Sequence, residues 1–156
     1  MTKQHRYHVR VTWTGNTGSG TANYHGYSRD HEILAGGKPV ILGSSDPVFR
    51  GDPTKWNPEE LLVASVSTCH KLWYLSLCSR AGIVVISYDD HAEGLMLEEP
   101  AGSGYFTAIV LRPVIELAKN SNVEAAEELH KKAHEMCFIA RSLNCSVEIE
   151  PTITRI

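Results

Sequence analysis

The longest apolar stretch of the chain runs over residues 61–77, where Lys71 is the only charged side chain. Apolar residues on nearly every side predict a long helix that lies in the middle of the protein. Gly82 favours a left-handed stop after it. The segment before the stretch has the features of a helix N-terminus, with a cap, a proline for the first turn and two acidic residues: Asn57, Pro58, Glu59 and Glu60.

Alternating positions before this helix predict an antiparallel meander. Tyr7, Val9, Val11 and Trp13 alternate with polar residues, which is typical of a half-buried strand. Further short strands are predicted over 21–27, 30–34 and 39–42, with glycine-rich turns between them. The loop over 43–56 then leads into the helix.

After Gly82 the pattern predicts a long hairpin. Residues 83–92 are rich in β-branched side chains, and 94–97 extend this strand past a bulge. Residues 100–104 form the turn, and 105–117 the returning strand. Pro113 in that strand indicates a sheet edge, because proline cannot donate to a ladder.

The last part of the chain predicts a second helix and a closing strand. Asn122 caps a helix from Val123 to about Met136, which breaks near Cys137. The order of strands, central helix, strands, helix and strand predicts an α+β fold in one domain over 1–156. The apolar residues of this second helix form one stripe: Val123, Ala126, Leu129, Ala133 and Met136. In the closing strand, the apolar residues that point to one side are Val147, Ile149 and Ile153.

Composition and charge argue against several classes of partner and indicate a cellular compartment. The formal net charge is −3 over 156 residues, so no basic footprint for nucleic acid or an anionic membrane is present. The apolar helix is short for a bilayer and has His70 and Lys71 at its centre. The first residues are polar and then alternate, without a hydrophobic leader. Four cysteines in such a chain predict free thiols in a reducing, cytoplasmic compartment.

The cysteines are the first candidates for chemistry. Cys69 lies in the middle of the central helix, and Cys78, nine residues later, falls on the opposite face. Cys137 at the helix break is therefore the credible partner of Cys69, with Cys145 behind it. Backbone N–H groups at such a break, or Arg141, could stabilise a thiolate. Burial as simple packing is the alternative for each thiol, and we expect it for Cys78 and Cys145.

Histidines offer another chemistry. His130, His134 and Cys137 have the spacing of metal ligands on a helix, and His70 could be a fourth. The interleaved charges of Lys131, Lys132 and Glu135 favour the alternative that the two helix histidines lie on a solvated face. We therefore predict no metal and no cofactor.

Three motifs together resemble the OsmC/Ohr family of peroxide-reducing proteins. They are Asn57-Pro58-Glu59-Glu60-Leu61-Leu62, then Ser67-Thr68-Cys69-His70, and Cys137 ahead of a short helical turn and a closing strand. The resemblance covers nearly the whole chain. It implies antiparallel sheets around a long central helix, in an intertwined homodimer. The chain departs from the family pattern at Trp56, His70 and Phe138.

The resemblance also implies roles for individual residues. Cys69 corresponds to the peroxidatic cysteine, Cys137 to the resolving cysteine and Glu59 to the activating glutamate. Arg50, in Phe49-Arg50-Gly51-Asp52, matches the arginine of the OsmC branch, and Arg29 lies nearer the position that the Ohr branch uses. We favour Arg50.

The implied function is a stress-related antioxidant enzyme, a cysteine-based peroxidase that reduces alkyl or lipid hydroperoxides. Cys69 would become a sulfenic acid, condense with Cys137, and be reset by an external dithiol of the lipoamide kind. On a helix, ten residues separate Glu59 from Cys69 by about 15 Å, so Glu59 and Arg50 would come from a second copy. The alternatives are a non-catalytic stress or ligand-binding protein and a His/Cys metal-binding protein.

Overall fold

Residues 2–156 are described by a computed structural model and form an α+β fold with two α-helices and nine strands. The strands make three separate three-stranded sheets. The chain divides into two compact units, residues 1–61 and residues 62–156. The single domain over 1–156 stays a prediction.

Residues 1–61 contain an antiparallel meander, as predicted. Strand β1 (Arg10–Trp13) pairs with β2 (His31–Leu34), which pairs with β3 (Ile41–Gly43). The predicted strand over 21–27 is wrong, because that segment forms consecutive turns. The Thr17 hydroxyl donates to the Gly26 carbonyl within this segment, and Asn16 Oδ1 accepts from the Gly18 and Gly20 N–H groups just before it; such local bonds compete with a strand ladder.

Helix α1 spans Pro58–Arg80 with the predicted ends. Asn57 Oδ1 accepts from the Glu60 N–H at 2.7 Å, and the Glu60 carboxylate accepts from the Asn57 N–H at 3.3 Å, so the two residues form a capping box. At the other end Gly82 has a φ of 71°, and the Ile83 N–H donates to the Cys78 carbonyl at 2.9 Å.

Burial of α1 is less complete than its apolar composition predicts. Leu72 is 64% exposed within one chain. By length and composition alone, the helix could cross a membrane. Its buried side chains, however, pack in the protein core, as in a soluble protein. The fully buried side chains recur every fourth residue: Val66, His70, Tyr74 and Cys78.

The predicted hairpin is present, but each of its two strands is interrupted, and the interruptions lie opposite each other. Strand β4 (Val85–Asp90) pairs with β7 (Pro113–Leu117), and β5 (Glu93–Glu98) pairs with β6 (Gly104–Leu111) in another sheet. Residues 94–97 therefore belong to a separate strand. Between β6 and β7, the Arg112 N–H donates to the Asp90 carboxylate at 2.7 Å and leaves the ladder.

The closing segment also splits between these two sheets. After helix α2 (Val123–Met136) and a short 3-10 helix (Ala140–Ser142), β8 (Ser146–Ile149) pairs parallel with β6, and β9 (Thr152–Arg155) pairs parallel with β7. The two sheets are therefore mixed and not purely antiparallel.

Pro113 does not mark an edge. Strand β7 lies between β4 and β9, and Pro113 is buried. The residue is tolerated there because it is the first of its strand.

Two apolar clusters form the core of residues 62–156. One joins the C-terminal half of α1 to α2 and to β7 through Tyr74, Cys78, Ala126 and Ala133. The other packs Val66 against β6. The part of α1 that carries Cys69 and the helix α2, which Cys137 follows directly, therefore pack in the core of the same unit.

Candidate functional site

Cys69 and Cys137 are brought together by α1 and α2. Cys69 lies in the middle of α1, and Cys137 is the C-cap of α2. Both carry free thiols, and Cys69 is the neighbouring thiol of Cys137. Cys69 is half-buried, whereas Cys137 is fully buried. The sequence and the resemblance predicted this pair, and the chemical roles of the two residues stay a prediction.

The two thiols differ in their surroundings. Burial, and then the neighbouring Cys69 side chain, raise the pKa of the Cys137 thiol above its ordinary range. The Ala140 N–H donates to Cys137 Sγ at 3.4 Å and opposes this shift. The helix break therefore supplies the predicted N–H group, but desolvation outweighs it. Cys137 is a neutral thiol at neutral pH.

An aromatic pair lies beside the thiols. The Phe138 ring, directly after Cys137, meets the Trp73 ring of α1 edge-on with centroids 5.7 Å apart. Phe138 is 67% exposed, and Leu72 beside Trp73 is exposed as well. Exposed apolar side chains thus lie close in sequence to both thiols, which suits a substrate with an organic group.

A buried polar cluster next to Cys69 was missed by the sequence analysis. His70 Nε2 lies 2.9 Å from His130 Nδ1, with the two rings 6° from parallel. The Tyr74 ring, one turn further along α1, stacks on the face of the His130 ring at 3.9 Å. The predicted solvated face is therefore wrong for His130, which is buried because α2 turns it toward α1.

Burial keeps both histidines uncharged. It lowers the pKa of His70 to about 4, with a smaller contribution from His134, and the pKa of His130 to about 3, with a smaller contribution from His70. Burial also raises the pKa of the Tyr74 hydroxyl. The cluster is neutral at physiological pH, so its contacts are hydrogen bonds and stacking.

The alternative metal site is not assembled. Within residues 2–156, no group of three or more His, Cys, Asp or Glu side chains could hold a metal ion. His70 Nε2 and His130 Nδ1 face each other at 2.9 Å. The structure thus gives no support to the His/Cys metal-binding alternative.

The other two cysteines pack in the core. Cys78 belongs to the cluster around Tyr74, where burial raises its pKa, and Cys145 packs against the cluster around Val66. These positions agree with the packing roles that we expected for them.

Within residues 1–61, the two candidate arginines have different surroundings. The Arg29 guanidinium donates to the carbonyls of Tyr27 and Tyr24, at 2.6 and 2.8 Å, and lies over both tyrosine rings. Arg50 is exposed, with its guanidinium carbon 6.0 Å from the Tyr24 ring centroid. It has a left-handed backbone with φ 67° at the end of the 3-10 helix Pro47–Phe49.

Glu59 carries a buried oxygen without a partner. In the part of the chain that the structure describes, its Oε2 accepts no hydrogen bond. Its neighbour Glu60 has a clear structural role in the capping box. A buried carboxylate oxygen is costly to leave unpaired, so Glu59 is the less explained of the two.

Comparison with known proteins gives a consistent picture. The model of the OsmC-like protein family matches residues 51–152. The uncharacterized protein YmaD of Bacillus subtilis is 24% identical over 151 residues, covering 94% of this chain and 91% of YmaD.

Solved structures extend the comparison. An OsmC-like protein of unknown function from Vibrio cholerae superposes with a TM-score of 0.85 at 32% identity, covering 96% of this chain and all of that one. An organic hydroperoxide resistance protein from Elizabethkingia anophelis superposes with a TM-score of 0.70 at 17% identity over the full length of both chains. At 17% identity, the similarity to the Elizabethkingia anophelis protein shows a shared fold only.

Proposed function

This chain belongs to the OsmC-like family, and we propose that it is a thiol-dependent peroxidase that reduces organic hydroperoxides to alcohols. The observation that carries the proposal is that the Cys69 and Cys137 thiols are neighbours, the first half-buried and the second buried. Structural neighbours named for organic hydroperoxide resistance support the same chemistry.

The different burial of the two thiols supports the order of events in this proposal, in which the half-buried Cys69 reacts first. The Cys69 thiolate attacks the O–O bond; an S–O bond forms, the O–O bond breaks, and the leaving alkoxide takes up a proton. Cys137 then attacks the sulfenic sulfur, so that an S–S bond forms and water leaves. An external dithiol, of the lipoamide kind in our proposal, reduces this disulfide by exchange and becomes oxidised itself.

Arg50 is the better candidate for stabilising the Cys69 thiolate. The Arg29 guanidinium is occupied by two carbonyls and two aromatic rings, which gives it a structural role. Arg50 is exposed, and the unpaired Glu59 carboxylate is suited to orient a guanidinium by a two-pronged contact.

We propose that these two residues act on the thiols of a second copy. Glu59 and Cys69 are ten residues apart on one helix, a distance of about 15 Å along its axis. The meander of residues 1–61 also exposes apolar side chains, with Val11 61% and Trp13 42% exposed. Exposed apolar strands of this kind mark an interaction surface, which an intertwined homodimer would cover.

Cysteine substitution tests the peroxidase. Cys69→Ser is expected to abolish consumption of an alkyl hydroperoxide in the presence of a dithiol, and Cys137→Ser to allow about one turnover before stalling. Cys78→Ser is the matched control, because Cys78 lies on the same helix within the core. Unchanged steady-state consumption in Cys69→Ser would end the proposal that Cys69 is the reacting thiol, and no consumption by the wild-type protein would favour the non-catalytic alternative.

The compartment is the remaining part of the proposal. All four cysteines are free thiols, and the reaction needs a dithiol supply. Both fit the reducing cytoplasm.

A further inference from the structure

His130 is held by two side chains of α1 that lie one turn apart. His70 meets the edge of its ring through the 2.9 Å nitrogen contact, and Tyr74 covers its face at 3.9 Å. A hydrogen bond in the ring plane restricts sliding and rotation within that plane, and a stacked ring restricts movement perpendicular to it. His130 is therefore held to α1 at one edge and on one face of its ring.

This contact lies close to the thiols on both helices. His70 follows Cys69 directly, so any rotation of α1 that displaces one side chain displaces the other. His130 lies two helical turns before Cys137, about 10 Å along α2. A contact that holds His130 against His70 thus also restricts the position of the Cys69 sulfur atom relative to the Cys137 sulfur atom.

The cluster is costly for stability, which argues for a purpose beyond packing. His70 Nδ1 and His130 Nε2 are buried and make no hydrogen bond within residues 2–156. Whichever ring donates in the shared bond, one N–H and one acceptor nitrogen stay unpaired. Two apolar side chains of similar size would avoid this cost, but they would not prescribe one orientation of the helices.

We propose that His70 and His130, backed by Tyr74, are positioning residues of the thiol site. They fix the rotation and register of α1 against α2 so that Cys69 and Cys137 meet in the geometry needed for a disulfide. This inference deepens the proposed peroxidase and rests on it. It assigns His70, where the chain departs from the family pattern, a role in the same site.

Equilibration with glutathione buffers measures this positioning without any peroxide. The protein dithiol and oxidised glutathione exchange to give the Cys69–Cys137 disulfide and two reduced glutathione molecules, and the equilibrium constant reports how well the thiols are placed. All variants carry Cys78→Ser and Cys145→Ser, so that one intramolecular pair is observed. Disulfide content is read by acid quench and alkylation.

His130→Leu is expected to lower this equilibrium constant at least about tenfold, which corresponds to about 30 mV in reduction potential. His130→Asn, whose amide reaches the place of the imidazole Nδ1, should recover most of the loss. Ile115→Val is the control, because Ile115 lies in the same core cluster as Tyr74 and the substitution softens the core without touching the histidines.

The double variant His70→Leu/His130→Leu separates positioning from stability. It removes the unpaired nitrogens, so its melting temperature should exceed that of the single variants, while its equilibrium constant stays low. If leucine prevents folding, His70→Gln and His70→Asn give the comparison, because only the glutamine amide reaches the place of Nε2.

Three outcomes would overturn the inference: a wild-type constant in His130→Leu, an equal loss in Ile115→Val, or recovery of both properties in the double leucine variant. Failure of the peroxidase is a different result. In that case the wild-type protein forms the disulfide in glutathione but consumes no alkyl hydroperoxide.

Discussion

The two units of this chain differ in whether their candidate reactive groups have neighbouring partners within the same unit. In residues 62–156, the thiols of Cys69 and Cys137 are neighbours, and His130 is held on two sides. In residues 1–61, Arg50 is exposed and Glu59 has a buried, unpaired oxygen. In our proposal, Arg50 and Glu59 of residues 1–61 act on a second copy, whereas the two neighbouring thiols both belong to residues 62–156 of one copy.

The largest expected effect concerns Arg50. Arg50→Gln should lower kcat/KM for an alkyl hydroperoxide by about a hundredfold to a thousandfold, the usual loss when one charged donor is removed from a reacting centre. Steady-state kinetics measure it. Arg29→Gln is the control and should act on stability, because its guanidinium bonds two carbonyls. The reverse pattern would assign activation to Arg29.

Mixing two inactive variants tests whether Arg50 acts across copies. In a mixed dimer of Cys69→Ser and Arg50→Gln chains, one site combines an intact Cys69 with an intact Arg50. Random pairing should then restore about one quarter of wild-type activity. No recovery after verified subunit exchange would place both groups in one chain.

Acid should destabilise the histidine cluster. The pKa values of His70 and His130 are lowered in the folded protein, to about 4 and about 3, so between pH 6.5 and those values the unfolded chain binds more protons. Stability is therefore present near pH 7 and lost as the pH falls, by on the order of 3 kcal/mol between pH 7 and pH 5.

Urea unfolding at several pH values measures this loss, and the His70→Leu/His130→Leu variant is the control because its profile should be nearly flat over the same range. A wild-type profile as flat as that of the variant would show that the cluster is not the neutral, buried one described above.

A smaller effect is expected at the exposed meander. Val11→Asp should weaken self-association at least about tenfold, because Val11 is an exposed apolar residue on the proposed interface. Sedimentation over a concentration series measures it. Thr12→Asp is the matched control on the opposite face of β1. Equal effects of both substitutions would contradict an interface on the Val11 face.

The smallest effect concerns the start of α1. Asn57→Ala removes the side chain that accepts from the Glu60 N–H, and should cost about 1 kcal/mol of stability. Thermal unfolding measures it, and kcat/KM should change less than about twofold. A large loss of activity at unchanged stability would mean that Asn57 belongs to the reacting site.

Local features were predictable from the sequence. The ends of α1 and α2 depend on residues within one turn, Asn57, Gly82 and Asn122, and these predictions are confirmed. The break in the hairpin was not predictable, because it depends on a contact between Arg112 and Asp90, which are distant in sequence.

The site divides in the same way. The proximity of Cys69 and Cys137 was expected from the resemblance and from the exclusion of Cys78. The histidine cluster was missed because a histidine among charged residues normally faces solvent. Its signal was spacing: His70 falls between Val66 and Tyr74, and His130 between Ala126 and Ala133, on stripes that are otherwise apolar and buried.

The most direct measurement of the account is the mapping of cysteine links by mass spectrometry after one equivalent of an alkyl hydroperoxide. The account predicts loss of two thiols per chain and a peptide pair joined through Cys69 and Cys137 within one copy. Retention of all four thiols, or a link that omits Cys69, would contradict it.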